Sequence, residues 1–322
     1  MARYLFRPKV EGARLALGDI TTKTEELIHL RWTFKQRSAR VNTGKAQVAA
    51  TQCHAGNHPA EEAGYFEVPG AHLYTVLHGV ANPTARVLLV GSFASERHLS
   101  YIPWVRWARY LAARSVECLR FDYRGIGEST GVFEEMKFET WLEDVALLAQ
   151  WLKERSPEAP VILHGLELGA LLAGKVFETG VGDGLLLWAA PRTANHVLRA
   201  TLLRRVAPDN AFKYGGDRKS SADYIKQLES GDFLEVGGYQ WSSQLWQDSF
   251  QVELPANLGD EASAFPVHER PVRTVKEEKL GAPLIKGSSV GYEAINRDFS
   301  GLFDDNFAWI VQSQAPSQGE PH

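Results

Sequence analysis

The chain has 322 residues, 44% hydrophobic, 11% aromatic and 23% charged, enough apolar material for a sizeable core. A formal net charge of −4 argues against nucleic acid as a partner, since phosphate binding needs a basic surface. The two cysteines, Cys53 and Cys118, lie outside CxxC contexts, so neither a disulfide framework nor a metal site is expected, and nothing calls for a cofactor. No apolar run approaches the roughly 18 residues of a membrane span. With no secretory signal pattern at the N-terminus either, the expected location is cytoplasmic.

Residues 1–61 differ from the rest. Between Met1 and Lys45, ten Lys/Arg face four acids, a surplus of six positive charges. Leu27, Ile28, Leu30 and Phe34 predict one helix over Thr24–Arg37, and 41–62 reads as linker. The segment is expected to be a loosely ordered basic extension, and any protein partner it contacts is unknown. Residues 62–311 read as the folded domain and 312–322 as a polar tail.

From Tyr65 the pattern alternates. Tyr65–Val68 and His72–His78 predict a hairpin about Pro69 and Gly70. A strand over Arg86–Val90 is followed by a loop and by a helix carrying Trp104, Trp107, Ala108 and Leu111. The strand Val116–Phe121 precedes a helix with Phe138, Trp141, Leu142, Val145, Leu148, Trp151 and Leu152 at steps of three and four. Then come strand Pro160–His164, helix Leu168–Glu178 and strand Gly184–Trp188. Such alternation predicts an α/β fold: a mostly parallel sheet with helices on both faces. Residues 192–250 break the pattern and are expected to form a helical cap over the carboxyl edge. Val272–Val275 and Pro283–Ile285 are weaker strand candidates, and a last helix is predicted from Phe299 to Val311.

Between the fifth predicted strand and its helix lies His164-Gly165-Leu166-Glu167-Leu168-Gly169. This is the spacing of the G-x-S-x-G nucleophile elbow with glutamate at its centre. Glycines flank the central residue because it occupies a strained turn where flanking Cβ atoms collide. The following helix N-terminus favours negative charge, so a carboxylate is electrostatically at home.

Three segments carry a resemblance: Val87-Leu88-Leu89-Val90-Gly91-Ser92-Phe93, Arg120-Phe121-Asp122-Tyr123-Arg124-Gly125-Ile126-Gly127-Glu128-Ser129, and the elbow. From about Ala85 to Pro191 the chain resembles the serine aminopeptidase-type (S33-like) α/β-hydrolases, close to the hydrolases associated with exosortase systems. Leu234-Glu235-Val236-Gly237-Gly238-Tyr239, in the cap, is similar to the same relatives. The resemblance implies an α/β-hydrolase fold with a cap insertion. It also implies that Phe93 and Leu168 supply the two N–H groups of an oxyanion hole, and that Asp122 and Arg124 hold the loop after their strand.

The pattern fails where the chemistry matters. A serine triad runs Ser, then Asp/Glu, then His in this fold. The elbow has no serine, and His268 and His322 alone follow His196. His268 precedes a strand candidate instead of following one. His164 is expected to pair with backbone, and Ser92 and Ser95 have no identifiable base. His98 remains the candidate base, in the loop over the site, with Glu167 as candidate nucleophile or general base. Three readings follow. One is a degenerate hydrolase that keeps a pocket for a ligand or partner. A second is an active hydrolase of small acyl or ester-type molecules through Glu167. The third is an interaction protein using its basic arm and cap.

Overall fold

The computed structural model describes residues 61–155, 157–211, 219–258, 270–276, 280 and 298–313. The expected helix Thr24–Arg37, nearly all of the basic extension, the strand candidate Pro283–Ile285 and most of the tail lie outside these residues.

A hairpin of β1 (Glu61–Val68) and β2 (Ala71–His78) opens the described chain and turns at Gly70, φ 74°. Then β3 (Ala85–Val90), α1 (Arg97–Ala112), β4 (Val116–Phe121), α2 (Phe138–Arg155), β5 (Val161–Leu166), α3 (Leu168–Glu178) and β6 (Gly184–Trp188) alternate. An excursion holds α4 (Ala194–Ala211), α5 (Ser221–Glu229), β7 (Leu234–Val236), β8 (Tyr239–Trp241) and α6 (Ser243–Asp248). The chain returns through β9 (Val272–Val275) and α7 (Ser300–Gln312).

Seven strands form one sheet in the order β1-β2-β4-β3-β5-β6-β9. The β1–β2 and β2–β4 pairs are antiparallel and all the others parallel. Chain order reverses beside β3, which places a crevice at the carboxyl ends of β3 and β5. Alternate strand residues feed opposite cores. Leu88, Val90, Leu163, Leu185 and Leu187 join α2, α3 and the cap, whereas Val87, Leu89, Ile162, Leu186 and Trp188 join α1 and α7. The predicted stripe of α2 is this contact: Phe138, Trp141, Leu142, Val145, Leu148 and Leu152 are all buried. Each such side chain contributes roughly 1.5–3 kcal/mol of transfer free energy. Cys118 is fully buried in the second core, as a small apolar residue would be.

Two expectations need correction. The linker over 41–62 does not reach Glu62, because Glu61 and Glu62 extend β1 by pairing with His78 and Leu77. The excursion 192–250 is not wholly helical. Leu234–Val236 and Tyr239–Trp241 pair as a hairpin about Gly237 and Gly238, whose positive φ values of 58° and 87° suit a tight turn.

At the amino ends of the strands, buried Glu117 accepts hydrogen bonds from Arg86 at 2.8 Å and Arg155 at 3.3 Å. On β2, buried His78 accepts a 2.9 Å bond at Nε2 from Arg120, and Glu61 lies 3.7 Å from its Nδ1. Burial and the neighbouring Arg120 charge depress the His78 pKa to about 4, against a smaller opposing pull from Glu61.

Two predictions follow from these groups. Glu117→Ala removes the buried carboxylate that accepts from both Arg86 and Arg155 and should cost about 3–5 kcal/mol in urea unfolding, with Glu117→Gln costing less. For His78 the unfolded chain takes up the proton near pH 6.5 while the folded state resists until about pH 4. Its contribution to stability is therefore complete above pH 6.5 and is lost as pH falls through that window. Melting temperatures should fall less steeply from pH 6.5 to 4 in His78→Gln than in the unsubstituted protein.

Candidate functional site

Glu167 forms the one-residue turn from β5 into α3, with φ 55° and ψ −120°. Its side chain is 7% exposed, and its backbone N–H donates to Trp188 O at 2.9 Å. Both expected glycines are sterically required. A Cβ on Gly165 would lie 2.3 Å from Ala170 Cα, and one on Gly169 would lie 2.2 Å from Val90 O and 2.3 Å from Gly91 O. The first turn of α3 is thus seated directly on the carboxyl end of β3. Three of the four described non-glycine residues with positive φ are Ala94 (41°), Glu167 (55°) and Ala189 (49°). They follow β3, β5 and β6, so backbone strain gathers along one carboxyl edge, where functional sites store it.

Phe93 and Leu168 occupy the positions flanking that edge. Leu168 is the first residue of α3 and fully buried, in the part of a helix whose N–H groups have no intrahelical acceptor. Phe93 is also buried, and its ring packs on Phe133, Trp141 and Trp241 with centroids 5.8, 5.2 and 6.3 Å away. Tyr239 adds to this aromatic roof by packing on Phe133 at 4.8 Å. Ser92, next to Phe93 in sequence, is buried, its hydroxyl 2.6 Å from that of Ser100. Among the aromatic residues of the cap, Tyr224, Trp241 and Trp246 are buried, whereas Phe233 and Phe250 are exposed. Phe212 and Tyr214 lie outside the described residues.

The segment after β4 braces the edge. Asp122 forms an ion pair with Arg97 and accepts the Glu128 N–H at 3.0 Å. Arg124 grips Asp144 with three hydrogen bonds of 2.6–3.0 Å and donates to Pro69 O at 3.1 Å. Burial pushes the Asp144 carboxyl up to about 7 despite the stabilising guanidinium. Tyr123 donates its hydroxyl to Gly91 O at 2.7 Å, joining this segment to the loop after β3.

The described histidines are engaged elsewhere or exposed. His164 bonds a side chain and not the expected backbone partner: its Nδ1 accepts the Trp107 indole N–H at 3.0 Å. The ring is enclosed by Trp104 and Trp188, with centroids 4.9 and 4.5 Å away. Full burial holds its pKa well below the usual range, so it is neutral. Neither the packing nor the tryptophan partner was visible in local sequence, because the three indoles come from α1 and β6. His98 is exposed on the first turn of α1, and His196 is exposed on the first turn of α4. His268 and His322 lie outside the described residues. With β9 parallel to β6, Glu277 and Glu278 follow that strand one residue beyond Lys276, in residues that are not described.

No group of three or more His, Cys, Asp or Glu able to hold a metal occurs among the described residues. A cavity of about 600 Å³ lies along β9 and α7, lined in part by Arg273, Thr274, Asp305 and Trp309. Glu167, Phe93 and Leu168 do not line it.

Because the Gly169 clash is with backbone carbonyls, relaxation there requires moving α3 off β3. Gly169→Ala should cost about 3 kcal/mol or more in chemical unfolding. Gly180→Ala, at φ 97° with open space around it, should cost only about 1 kcal/mol.

Comparison with known proteins agrees with this architecture. Residues 98–230 match the family described as serine aminopeptidase, S33. No curated protein sequence matches the chain. Among solved structures, Est1E from Butyrivibrio proteoclasticus with ferulic acid bound is similar at a TM-score of 0.51 and 15% identity. That match spans 78% of this chain and 99% of Est1E. DcsB, in complex with its substrate analogue, is similar at a TM-score of 0.50 and 13% identity, over 80% of this chain and all of DcsB. At such identities the likeness concerns the fold. Sheet order, family match and structural likeness converge: the chain has an α/β-hydrolase fold, and its residues 98–230 are similar to the serine aminopeptidase S33 family.

Proposed function

We propose that this chain is a hydrolase-fold protein whose serine triad has been lost and whose carboxyl edge serves to bind a small acyl- or ester-type ligand, with Glu167 at its centre. The observation that carries this is chain order. In this fold the triad histidine follows the last strands, and beyond β9 the sequence contains no histidine except the terminal His322. The described histidines do not substitute: His164 is neutral and enclosed by indoles, and His98 is exposed. One cause, decay of the serine–histidine pair, then accounts for both replacements. The retained strain at Ala94, Glu167 and Ala189 supports a site still under constraint, since a purely structural edge gains nothing from it. Phe93 and Leu168, on this reading, present backbone N–H groups to a ligand carbonyl.

A second reading, hydrolysis through Glu167 as nucleophile or general base, is favoured by one observation. The carboxylate sits at a helix N-terminus on an intact strained turn, the place this fold gives its nucleophile. Glutamate is one methylene longer than the aspartate used by some relatives of this fold, and about 1 Å of misplacement can cost a hundredfold. An ester formed on it would also need a base to activate the water that clears it.

The deciding experiment is hydrolysis of short and medium acyl esters by the unsubstituted protein, Glu167→Ala and Glu167→Ser. The binding reading expects no turnover from any of the three, with the same esters raising the melting temperature of the unsubstituted protein. Turnover that disappears in Glu167→Ala would replace it with the second reading.

A further inference from the structure

We propose that Glu96 and Arg204 form a latch that ties the position of the cap to the loop after β3, the loop that carries Phe93. Arg204, on α4, donates to Glu96 at 2.8 Å and also to Thr201 on its own helix at 2.9 Å. Glu96 ends the short helical turn Ala94–Glu96, and its backbone N–H donates to Phe93 O at 2.9 Å. The next residue, Arg97, is held by Asp122 at the end of β4. Two consecutive residues are thus tied to different bodies, Glu96 to the cap and Arg97 to the sheet. Ala94, at φ 41°, lies strained between Phe93 and this junction.

The lever geometry supports the assignment. The cap leaves and rejoins the domain through a zipped stalk: Ala194 N donates to Val252 O and Leu254 N to Arg192 O, both at 2.9 Å, and Thr193 bridges Glu253. Arg204 stands ten residues beyond Ala194, about 15 Å along the helix at 1.5 Å per residue. A small rotation at the stalk therefore becomes a large displacement at Arg204. The other described contacts of the cap with this region, Phe93 with Trp241 and Phe133 with Tyr239, are aromatic and tolerate sliding. The directional ion pair selects one position.

The latch is also poised to open. Glu96 is 7% exposed, and its second carboxylate oxygen is buried without a hydrogen-bond partner. Closure leaves that oxygen unsatisfied, and opening returns it to water, so the closed state is not overwhelmingly favoured. The latch couples cap and loop in the same way whether Glu167 binds a ligand or performs hydrolysis.

Hydrogen exchange on the full-length protein tests it, following amides of 91–100 and of 194–204. Arg204→Met should accelerate exchange in both segments about tenfold or more while a cooperative melt persists. In the unsubstituted protein, raising KCl from about 0.05 to 1 M should accelerate both together, because the Arg204 side chain is 35% exposed and its charge is screened by salt. The salt arm requires no substitution and so stands if Arg204→Met fails to fold. Acceleration of only one segment, or of neither, would overturn the latch.

Discussion

The first turn of α3 rests on the carbonyl oxygens of Val90 and Gly91 with no room for a single methyl group between them. That approach sets where α3 begins and therefore where Glu167 stands. The turn is pinned from its other side as well, since the Glu167 amide is bonded to Trp188 O of β6. A residue at φ 55° held between two neighbouring strands cannot relax without parting the centre of the sheet. Ala94 and Ala189, on the segments leaving those same two strands, share the strain. The carboxyl edge is thus one mechanical unit assembled from β3, β5 and β6.

Much of this was legible in the sequence because the parallel strands are nearly continuous apolar runs between turn residues. Val116–Phe121, Leu168–Glu178 and Gly184–Trp188 begin and end where the sequence predicts. The glycine spacing around Glu167 predicts the tight turn, and the steric contacts at Gly165 and Gly169 give its reason. The cap hairpin was hidden because strands of three residues carry no measurable period. Glu61 and Glu62 were hidden because polar residues at the outer end of an antiparallel pair look like linker. The pairing of β9 beside β6 is likewise a long-range fact that no local pattern carries. His164 shows the same limit: its environment is made by residues that are 57 positions away in the case of Trp107.

The charged groups near the site are spent mainly on holding loops. Arg97 neutralises Asp122, and Arg124 neutralises Asp144, so the motif after β4 that carries much of the family resemblance serves as scaffolding. Tyr123 extends that bracing to Gly91, next to the contact that seats α3. The aromatic roof of Phe93, Phe133, Trp141 and Trp241 then closes over a rigid floor.

At the opposite pole of the sheet, Arg86, Glu117 and Arg155 clamp the strands and α2 by their amino ends. The two poles therefore answer to different pressures. The clamp can be altered only at the expense of the whole molecule, whereas the place of the Glu167 turn is set by backbone, through the contacts at Gly165 and Gly169 and the amide bond to Trp188. A scaffold divided this way gathers charge-based stability at one pole and steric constraint at the other.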